Sequence, residues 1–336
     1  MTILLTGASG FLGRRIVDSL LRAGQRDLRL AVRQSASTDR LRAQAAACSV
    51  STDVRAANLL SREQVGEIVR DVDTIIHAAA GTRGGAADMF MNSVVGTRNL
   101  LDAAVNAGVR RIVLISSFSV YDTGRLSSGD LLDEDSPLEP DGVQKGAYAF
   151  TKVQQEILFR SHPIQSGTES VIVRPGVIFG PGGSGMSSRV GISVLGTFAA
   201  LGGSNALPLT YVDNCADAIV QATLYGSAGA VVNVVDDDLP TCGQYLKRYR
   251  AEVRRLRVVP VPYLALLWGS ACLQRYSLRS KGQLPAILTP YVVKAMYRPV
   301  RYSNARLKAL GWMPRVAMEP ALQAVMTRLG EERMSP

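Results

Sequence analysis

The sequence predicts an α/β protein, a doubly wound parallel sheet with a smaller C-terminal lobe. Three observations carry this. Short apolar runs alternate with segments of helical periodicity through the first third of the chain, and that alternation builds parallel strand–helix–strand units. A glycine-spaced turn, TGASGFLG, separates the first run from the first helix. Beyond about residue 176 the alternation loosens into glycine- and serine-rich stretches followed by apolar ones.

The elements follow in order. Ile3–Thr6 is a short apolar run, and Ile16, Val17, Leu20 and Leu21 recur at helical spacing before Gly24. Leu28–Val32, Val54–Ala57, Thr74–Ile76 and Arg111–Ser116 read as the next strands, with helices around Thr38–Ala46, Arg62–Arg70 and Met89–Ala107. In the first turn, Gly7 allows a tight bend, Gly10 a close backbone approach to a pyrophosphate, and Gly13 close helix–strand packing. With Ser9, Phe11 and Leu12 these residues form a Rossmann-type dinucleotide cradle at a helix N-terminus. Strand two ends in Arg33, where a carboxylate would take the ribose 2′-hydroxyl of NAD and an arginine instead pairs with the 2′-phosphate of NADP. NADP(H) is therefore favoured over NAD(H). Arg14 stays open between a second phosphate contact and a helix-surface role.

Composition bounds the rest. The 336 residues are 47% hydrophobic, enough for a substantial core. No apolar run reaches the ~18–20 residues of a membrane span, and MTILLTGASG lacks the basic and apolar segments of a secretory signal. Cys48, Cys215, Cys242 and Cys272 are widely separated and read as reduced thiols in a cytoplasmic protein. His77 and His162 are the only histidines, so a zinc site or a Ser–His–Asp triad is poorly supplied; no metal is expected, although carboxylate-only sites are not excluded. Residues 1–243 carry 21 Lys/Arg against 24 Asp/Glu, and residues 244–336 carry 17 against 4, so net charges of −3 and +13 make up the +10 total. A basic end suits an anionic ligand, an acidic membrane surface or a merely solvated face. With 6% aromatic residues and no recognition motif, nucleic acid is not an expected partner.

In GAYAFTK, Tyr148 and Lys152 stand four apart, one above the other on a helix, so a phenol and an ammonium can share one site. Spacing alone does not separate a proton-transfer pair from two ordinary helix residues.

Taken together, TGASGFLG, NLLSREQVGEIVRDVDTIIHAAA, MNSVVGTRNLLDAA, VLISSFSVYD, AYAFTK, VIVRPGVIFGPGG, LTYVDNCADAIVQA, VVNVVDDDLPT and YSNARLKALGWMP resemble the extended short-chain dehydrogenases/reductases over nearly the whole chain. That family includes nucleotide-sugar epimerases, dihydroflavonol reductases and 3β-hydroxysteroid dehydrogenases. The resemblance implies that Asn58 and Leu59 touch the adenine, with an amide where the family usually has Asp, and that Ala78, Ala79 and Ala80 pass under the cofactor. His77 reads as a satisfied strand-end histidine. Asn92 would face the cofactor, and aligning Val120-Tyr121 makes Ser117, not Ser116, the catalytic hydroxyl. Tyr148 would be the catalytic acid. Lys152 would lower its pKa and bind the nicotinamide ribose, while Pro175 and Val177 belong to the segment closing over the nicotinamide.

The implied activity is NADP(H)-dependent interconversion of a ketone and a secondary alcohol on a small, apolar substrate. An NAD-dependent nucleotide-sugar epimerase or dehydratase is the alternative: no Asn follows VIVRPG, where Gly176 and Val177 stand, but Arg298 and Arg301 remain for a diphosphate. A non-catalytic NADP-binding regulator is a third reading, set against the retained Ser117, Tyr148 and Lys152. By analogy the chain forms a homodimer through the helices carrying Asn92 and Tyr148. The nucleotide domain would span residues 1–175, completed within about 208–235, and the substrate lobe 176–207 and 236–336. In that lobe GPGGSGMSSRVGISVLGTFAALGG reads as a mobile loop followed by a helix. A second helix carries Leu264, Leu267, Trp268 and Leu273, preceded by Arg254, Arg255 and Arg257 and followed by Arg275, Arg279 and Lys281. It reads as a core or interface helix, or as a lid or a peripheral contact with an anionic membrane surface.

Overall fold

The structure, a computed structural model, describes residues 1–36, 39, 41, 43, 52–82, 84–163, 167–183, 185–280 and 288–334. In chain order come β1 (Ile3–Thr6), α1 (Phe11–Arg22), β2 (Leu28–Val32), β3 (Thr52–Ala56), α2 (Arg62–Val69), β4 (Thr74–His77), α3 (Ala86–Phe90), a π-helical turn (Met91–Val95), α4 (Gly96–Asn106) and β5 (Arg111–Ile115). Then follow β6 (Leu131–Leu132), α5 (Ala147–Ser161), β7 (Glu169–Pro175), β8 (Val177–Phe179), β9 (Gly191–Val194), β10 (Thr197–Ala200), β11 (Leu209–Tyr211), α6 (Val212–Tyr225) and β12 (Val231–Val234). The last part holds α7 (Cys242–Glu252), β13 (Val258–Pro260), α8 (Tyr263–Arg279), α9 (Pro290–Tyr297), β14 (Arg301–Tyr302), α10 (Ala305–Ala309) and α11 (Met318–Met334).

Seven strands form one sheet in the order β3-β2-β1-β4-β5-β7-β12, every neighbour parallel. A parallel sheet is covered on both faces, so its central strands are largely apolar without alternation. Side chains still divide by parity. Ile3, Leu5, Ile76, Val113, Val171 and Val173 enter the core shared with α1 and α6, and Leu4, Ile75, Ile112, Leu114 and Ile172 the core shared with α2 and α4. The chain runs outward from β1 to β2 and β3, then returns to the other side of β1 as β4. The topological switch therefore lies between β1 and β4, where Thr6 stands opposite His77 and a crevice opens beyond the strand ends.

Several elements differ from the sequence expectation. β3 starts at Thr52, two residues early, because Asp53 is held by Arg29 at 2.8 Å and Arg55 at 2.9 Å on a half-exposed edge strand. The helix expected at 89–107 starts at Ala86 and carries the π turn at Met91–Val95. The helix expected after the glycine-rich loop is instead the antiparallel hairpin β9–β10. Its two turn residues, Leu195 (φ 47°) and Gly196 (φ 75°), both take left-handed conformations, as a tight two-residue hairpin turn requires. α8 forms where a helix was expected, but Ser270 is its only buried residue, so it is not a core helix. Of the helix expected at 38–46, only residues 39, 41 and 43 are described; they are helical, and Leu41 is buried. Cys48 and Lys281 lie outside the described residues. Among the described residues no helix is long and apolar enough to cross a membrane, and no cluster of three His, Cys, Asp or Glu side chains is placed to hold a metal ion.

A buried ion pair joins α5 to the sheet. Arg174 on β7 donates to both carboxylate oxygens of Glu156 on α5, at 2.5 and 3.2 Å, with side chains 1% and 3% exposed. Ser116 donates to the same carboxylate at 2.5 Å, and a further arginine nitrogen donates to the Tyr121 hydroxyl at 2.8 Å. These contacts hold the Glu156 carboxyl below its ordinary range despite burial. Glu156→Gln removes the charge and leaves Arg174 buried without its counter-ion. Urea unfolding should show a loss of about 3–5 kcal/mol, and a variant within the error of wild type would mean that the pair does not anchor α5.

Candidate active site

The site is assembled at the carboxyl ends of β1, β4 and β5. After β1 the chain turns at Gly7 (φ 73°), where an added Cβ would come within 3.0 Å of the Ala79 backbone. At Gly13 an added Cβ would stand 2.1 Å from the Gly7 carbonyl oxygen, so a side chain there would separate α1 from the turn. Gly10 caps α1 without a side chain, leaving the first N–H groups of the helix open to an anion. Ala79 N donates to the Thr6 hydroxyl at 3.2 Å, which fixes the segment Ala78, Ala79, Ala80 beside the glycine turn. These features fit a dinucleotide.

Other expected cofactor residues surround this turn. Ser9 and Leu12 are half-buried, and the Ser9 carbonyl accepts from Arg14 Nε at 2.8 Å, so Arg14 braces the turn. The Phe11 ring lies against Gly180 and Gly183; sequence reasoning did not single out these two, although FGPGG marks a tight turn. Arg33 follows β2 directly and is exposed. Asn58 is exposed as well, but its side-chain oxygen already accepts from Leu60 N at 3.0 Å, leaving one lone pair for an adenine. Leu59 packs against Gly96 of α4. Pro175 is buried at the end of β7, opposite Val234, and Val177 is half-buried and pairs with Leu209. Asn92 lies exposed in the π turn, its amide donating to the Asp88 carbonyl at 2.8 Å; such turns often mark functional sites.

Ser117 follows the end of β5; its hydroxyl accepts from Ser119 N at 3.1 Å and lies close enough to the Tyr148 phenol to act on its protonation. Tyr148 keeps 38% of its surface exposed, yet its hydroxyl end is desolvated. That desolvation raises the phenol pKa, and the nearby Ser117 hydroxyl opposes it. The expected lowering by Lys152 is absent here. The Lys152 ammonium is turned away, donating to the Ile115 carbonyl and to Gln155 Oε1, both at 2.8 Å. Burial pushes the Lys152 pKa down to about 8, with Glu156 opposing the shift.

Gln155 extends this contact into a buried polar chain that sequence reasoning missed, although it lies three residues beyond Lys152 on the same helix face. Its amide donates to the Thr97 hydroxyl at 2.8 Å, Thr97 meets His77 Nε2 at 2.8 Å, and His77 Nδ1 meets the Thr6 hydroxyl at 2.8 Å. His77 is thus a satisfied strand-end histidine. The chain ties Lys152 to the strand that delivers the glycine turn.

A family model described as NAD dependent epimerase/dehydratase matches residues 3–234. The chain is 27% identical over 349 aligned positions to a 3-beta-hydroxysteroid dehydrogenase of Mycolicibacterium neoaurum, covering 95% of this chain and 89% of that protein. It is 31% identical over 245 positions to a 4-hydroxy-2-methyl-3-oxo-4-farnesyl-3,4-dihydroquinoline-1-oxide ketoreductase of Stigmatella aurantiaca, covering 70% and 68%. Among solved structures, UDP-glucuronic acid 4-epimerase from Bacillus cereus in complex with NAD superposes with a TM-score of 0.71 at 18% identity, covering 99% of both chains.

His77 makes this site pH-sensitive in a defined sense. Burial, assisted by the Lys152 charge, lowers its pKa from 6.5 to about 3. Between those values the unfolded chain binds more protons at this residue than the folded chain, so acidification destabilises the fold. Asp236, pushed up to about 6 by burial, acts in the opposite sense, so the comparison must be made against His77→Gln. From pH 6.5 to 5 the wild type should lose about 1–2 kcal/mol relative to that variant. Urea unfolding at each pH checks this, and a gap that does not change with pH would show that folded His77 keeps its proton.

Proposed function

Since the chain belongs to the NAD dependent epimerase/dehydratase family and is an enzyme of the short-chain dehydrogenase/reductase type, we propose that it interconverts a ketone and a secondary alcohol on a small, apolar substrate using NADP(H). The observation that carries this reading is the convergence of the Ser117 and Tyr148 side chains, with the buried Lys152 one helical turn away. Bound nicotinamide cofactor would supply the hydride. Ser117 donates to the substrate oxygen and holds it beside Tyr148, which gives up its proton as the oxygen becomes an alkoxide. A phenol with a raised pKa keeps that proton at neutral pH. Lys152 has three donors and commits two to Ile115 and Gln155; the third remains for a ribose hydroxyl or for the phenolate.

The apolar-substrate part of the reading draws on the named substrates of the steroid dehydrogenase and farnesyl-quinoline ketoreductase relatives. The nucleotide-sugar alternative needs cations for a diphosphate. Arg298 donates instead to the Gly124 and Leu126 carbonyls, and Arg301 to the Gly129 carbonyl at 3.0 Å. A regulator without turnover would need no Ser117–Tyr148 contact.

Arg33 supports the cofactor preference, being an exposed cation where a carboxylate would select NAD. Fluorescence titration should show tighter binding of NADPH than NADH. Arg33→Asp should lose about 1.5–3 kcal/mol toward NADPH, roughly tenfold to a hundredfold. Equal affinities in the wild type would remove the preference.

The catalytic roles predict different failures. Tyr148→Phe should keep cofactor affinity and cut kcat by about 10²–10⁴. Lys152→Met should weaken both cofactor binding and turnover, and the double variant should lose less than the sum. Steady-state kinetics on a panel of steroid and aromatic ketones, paired with cofactor titration, makes the test. Near-normal turnover by Tyr148→Phe would overturn the mechanism. Tightly retained NAD with 4-epimerisation of a UDP-sugar would establish the alternative instead.

A further inference from the structure

We propose that the protein docks on anionic lipid bilayers through the outward face of α8 and the adjoining β9–β10 hairpin. Leu264 and Trp268 on α8 are 75% and 74% exposed, and positions 264, 268, 272, 275 and 279 follow at steps of three and four, so they share one face. That stripe is apolar through its first turns and ends in Arg275 and Arg279. The inner side of α8 is already occupied. Leu266 and Leu267 pack into a cluster with Val293 and Tyr297, against Ile192 and Ala199 of the hairpin. Among the described residues, the outward face is therefore an unpartnered layer, with its inner contacts made.

The small sheet extends this surface. Ile192, Ala199 and Val259 stand side by side across β9, β10 and β13, so Val194, two residues from Ile192, shares their face. Val194 and Val259 are 48% and 50% exposed. At the hairpin tip, Leu195 is fully exposed with φ 47°. A leucine there accepts an unfavourable backbone conformation without gaining any burial within the chain.

Charge selects the partner. From Val253 to Met318 the sequence has twelve Lys/Arg and no Asp or Glu, and residues 181–212 have none either. Lys247, Arg250, Arg255 and Arg257 line a shallow, open cavity of about 540 Å³. This cavity borders the hairpin, since the Arg257 carbonyl accepts from Phe198 N at 2.8 Å. Two copies joined through this face would bring these cations together, with no Asp or Glu from residues 181–212 or 253–318 to meet them. A bilayer with anionic headgroups accommodates both properties: apolar side chains and the tryptophan enter the interface, and arginines meet phosphates. The attachment is peripheral and does not depend on which reaction the enzyme performs.

The chain supplies its own reporter, because Trp268 is exposed and Trp312, the other tryptophan, is 3% exposed. The full-length protein is mixed with vesicles of phosphatidylcholine alone or with added phosphatidylglycerol. On the mixed vesicles it should co-sediment, its emission should shift to the blue, and bromine-labelled acyl chains should quench it. Trp268→Phe should abolish the shift and quenching while retaining most sedimentation. Arg275→Gln and Arg279→Gln should each weaken partitioning about fivefold, and Leu264→Asp with Leu195→Asp should abolish it. Circular dichroism and cofactor affinity should not change, since all these residues are exposed. No sedimentation with anionic vesicles, or sedimentation unaffected by these substitutions, would overturn the proposal. A blue shift that grows with protein concentration without vesicles, accompanied by dimer mass in sedimentation velocity, would overturn it in favour of a second copy of the chain.

Discussion

The buried pair of Glu156 and Arg174 is the constraint on which the site's geometry rests. A charge of either sign in this interior would be costly alone, so each makes the other tolerable. The pair has a direction as well. Arg174 stands on β7, Glu156 on α5, and Ser116 at the end of β5 donates to the same carboxylate. Three elements are thereby brought to one point. Lys152 lies one turn earlier on α5 and Tyr148 two turns earlier, while Ser117 is the next residue after Ser116.

The second organising feature is the polar chain from Thr6 through His77, Thr97 and Gln155 to Lys152. Burial alone works against a charged lysine, as its lowered pKa records. The Ile115 carbonyl and the Gln155 amide oxygen compensate by accepting its protons, and Gln155 is in turn oriented by Thr97. His77 stays neutral in the middle because burial disfavours its charged form and the Lys152 cation lies nearby, while Thr6 and Thr97 satisfy its two ring nitrogens. The glycine turn and the lysine are thus two ends of one hydrogen-bonded path, which holds the glycine turn and the cluster of Ser117, Tyr148 and Lys152 in fixed relation.

How much of this was legible in the sequence follows from which signals are local. β1 and β2 were read to their ends because both faces are largely buried, which writes mainly apolar runs, broken in β2 only by the paired Arg29. The glycine turn was legible because its residues meet backbone, which leaves no room for a side chain. β3 was read short because an edge strand with Asp53 and Arg55 carries little apolar signal. The β9–β10 hairpin was misread as a helix because GISVLGTFAALGG mixes small apolar residues with no clear period, and its turn is set by the backbone at Leu195 and Gly196. Ser117, Tyr148 and Lys152 were legible through a family pattern. The partner of Lys152 was not, since a buried glutamine three residues away looks like any polar helix residue until its surroundings are known.

The resting electrostatics of the cluster define what a proton transfer from Tyr148 would require. The phenol of Tyr148 has a raised pKa and the ammonium of Lys152 a lowered one, so the two are poised apart rather than as a pre-formed phenolate–ammonium pair. A phenol with a raised pKa is a weaker acid, so it gives up its proton only when a much stronger base, such as a developing alkoxide, forms at hydrogen-bond distance. The phenolate left behind then needs a cation. Lys152, within one helical turn and with one donor uncommitted, can meet that charge at the moment it appears. Stabilisation that arises only after proton transfer favours the charge-separated state over the resting one, which is the form of assistance that accelerates a reaction rather than merely binding its substrate.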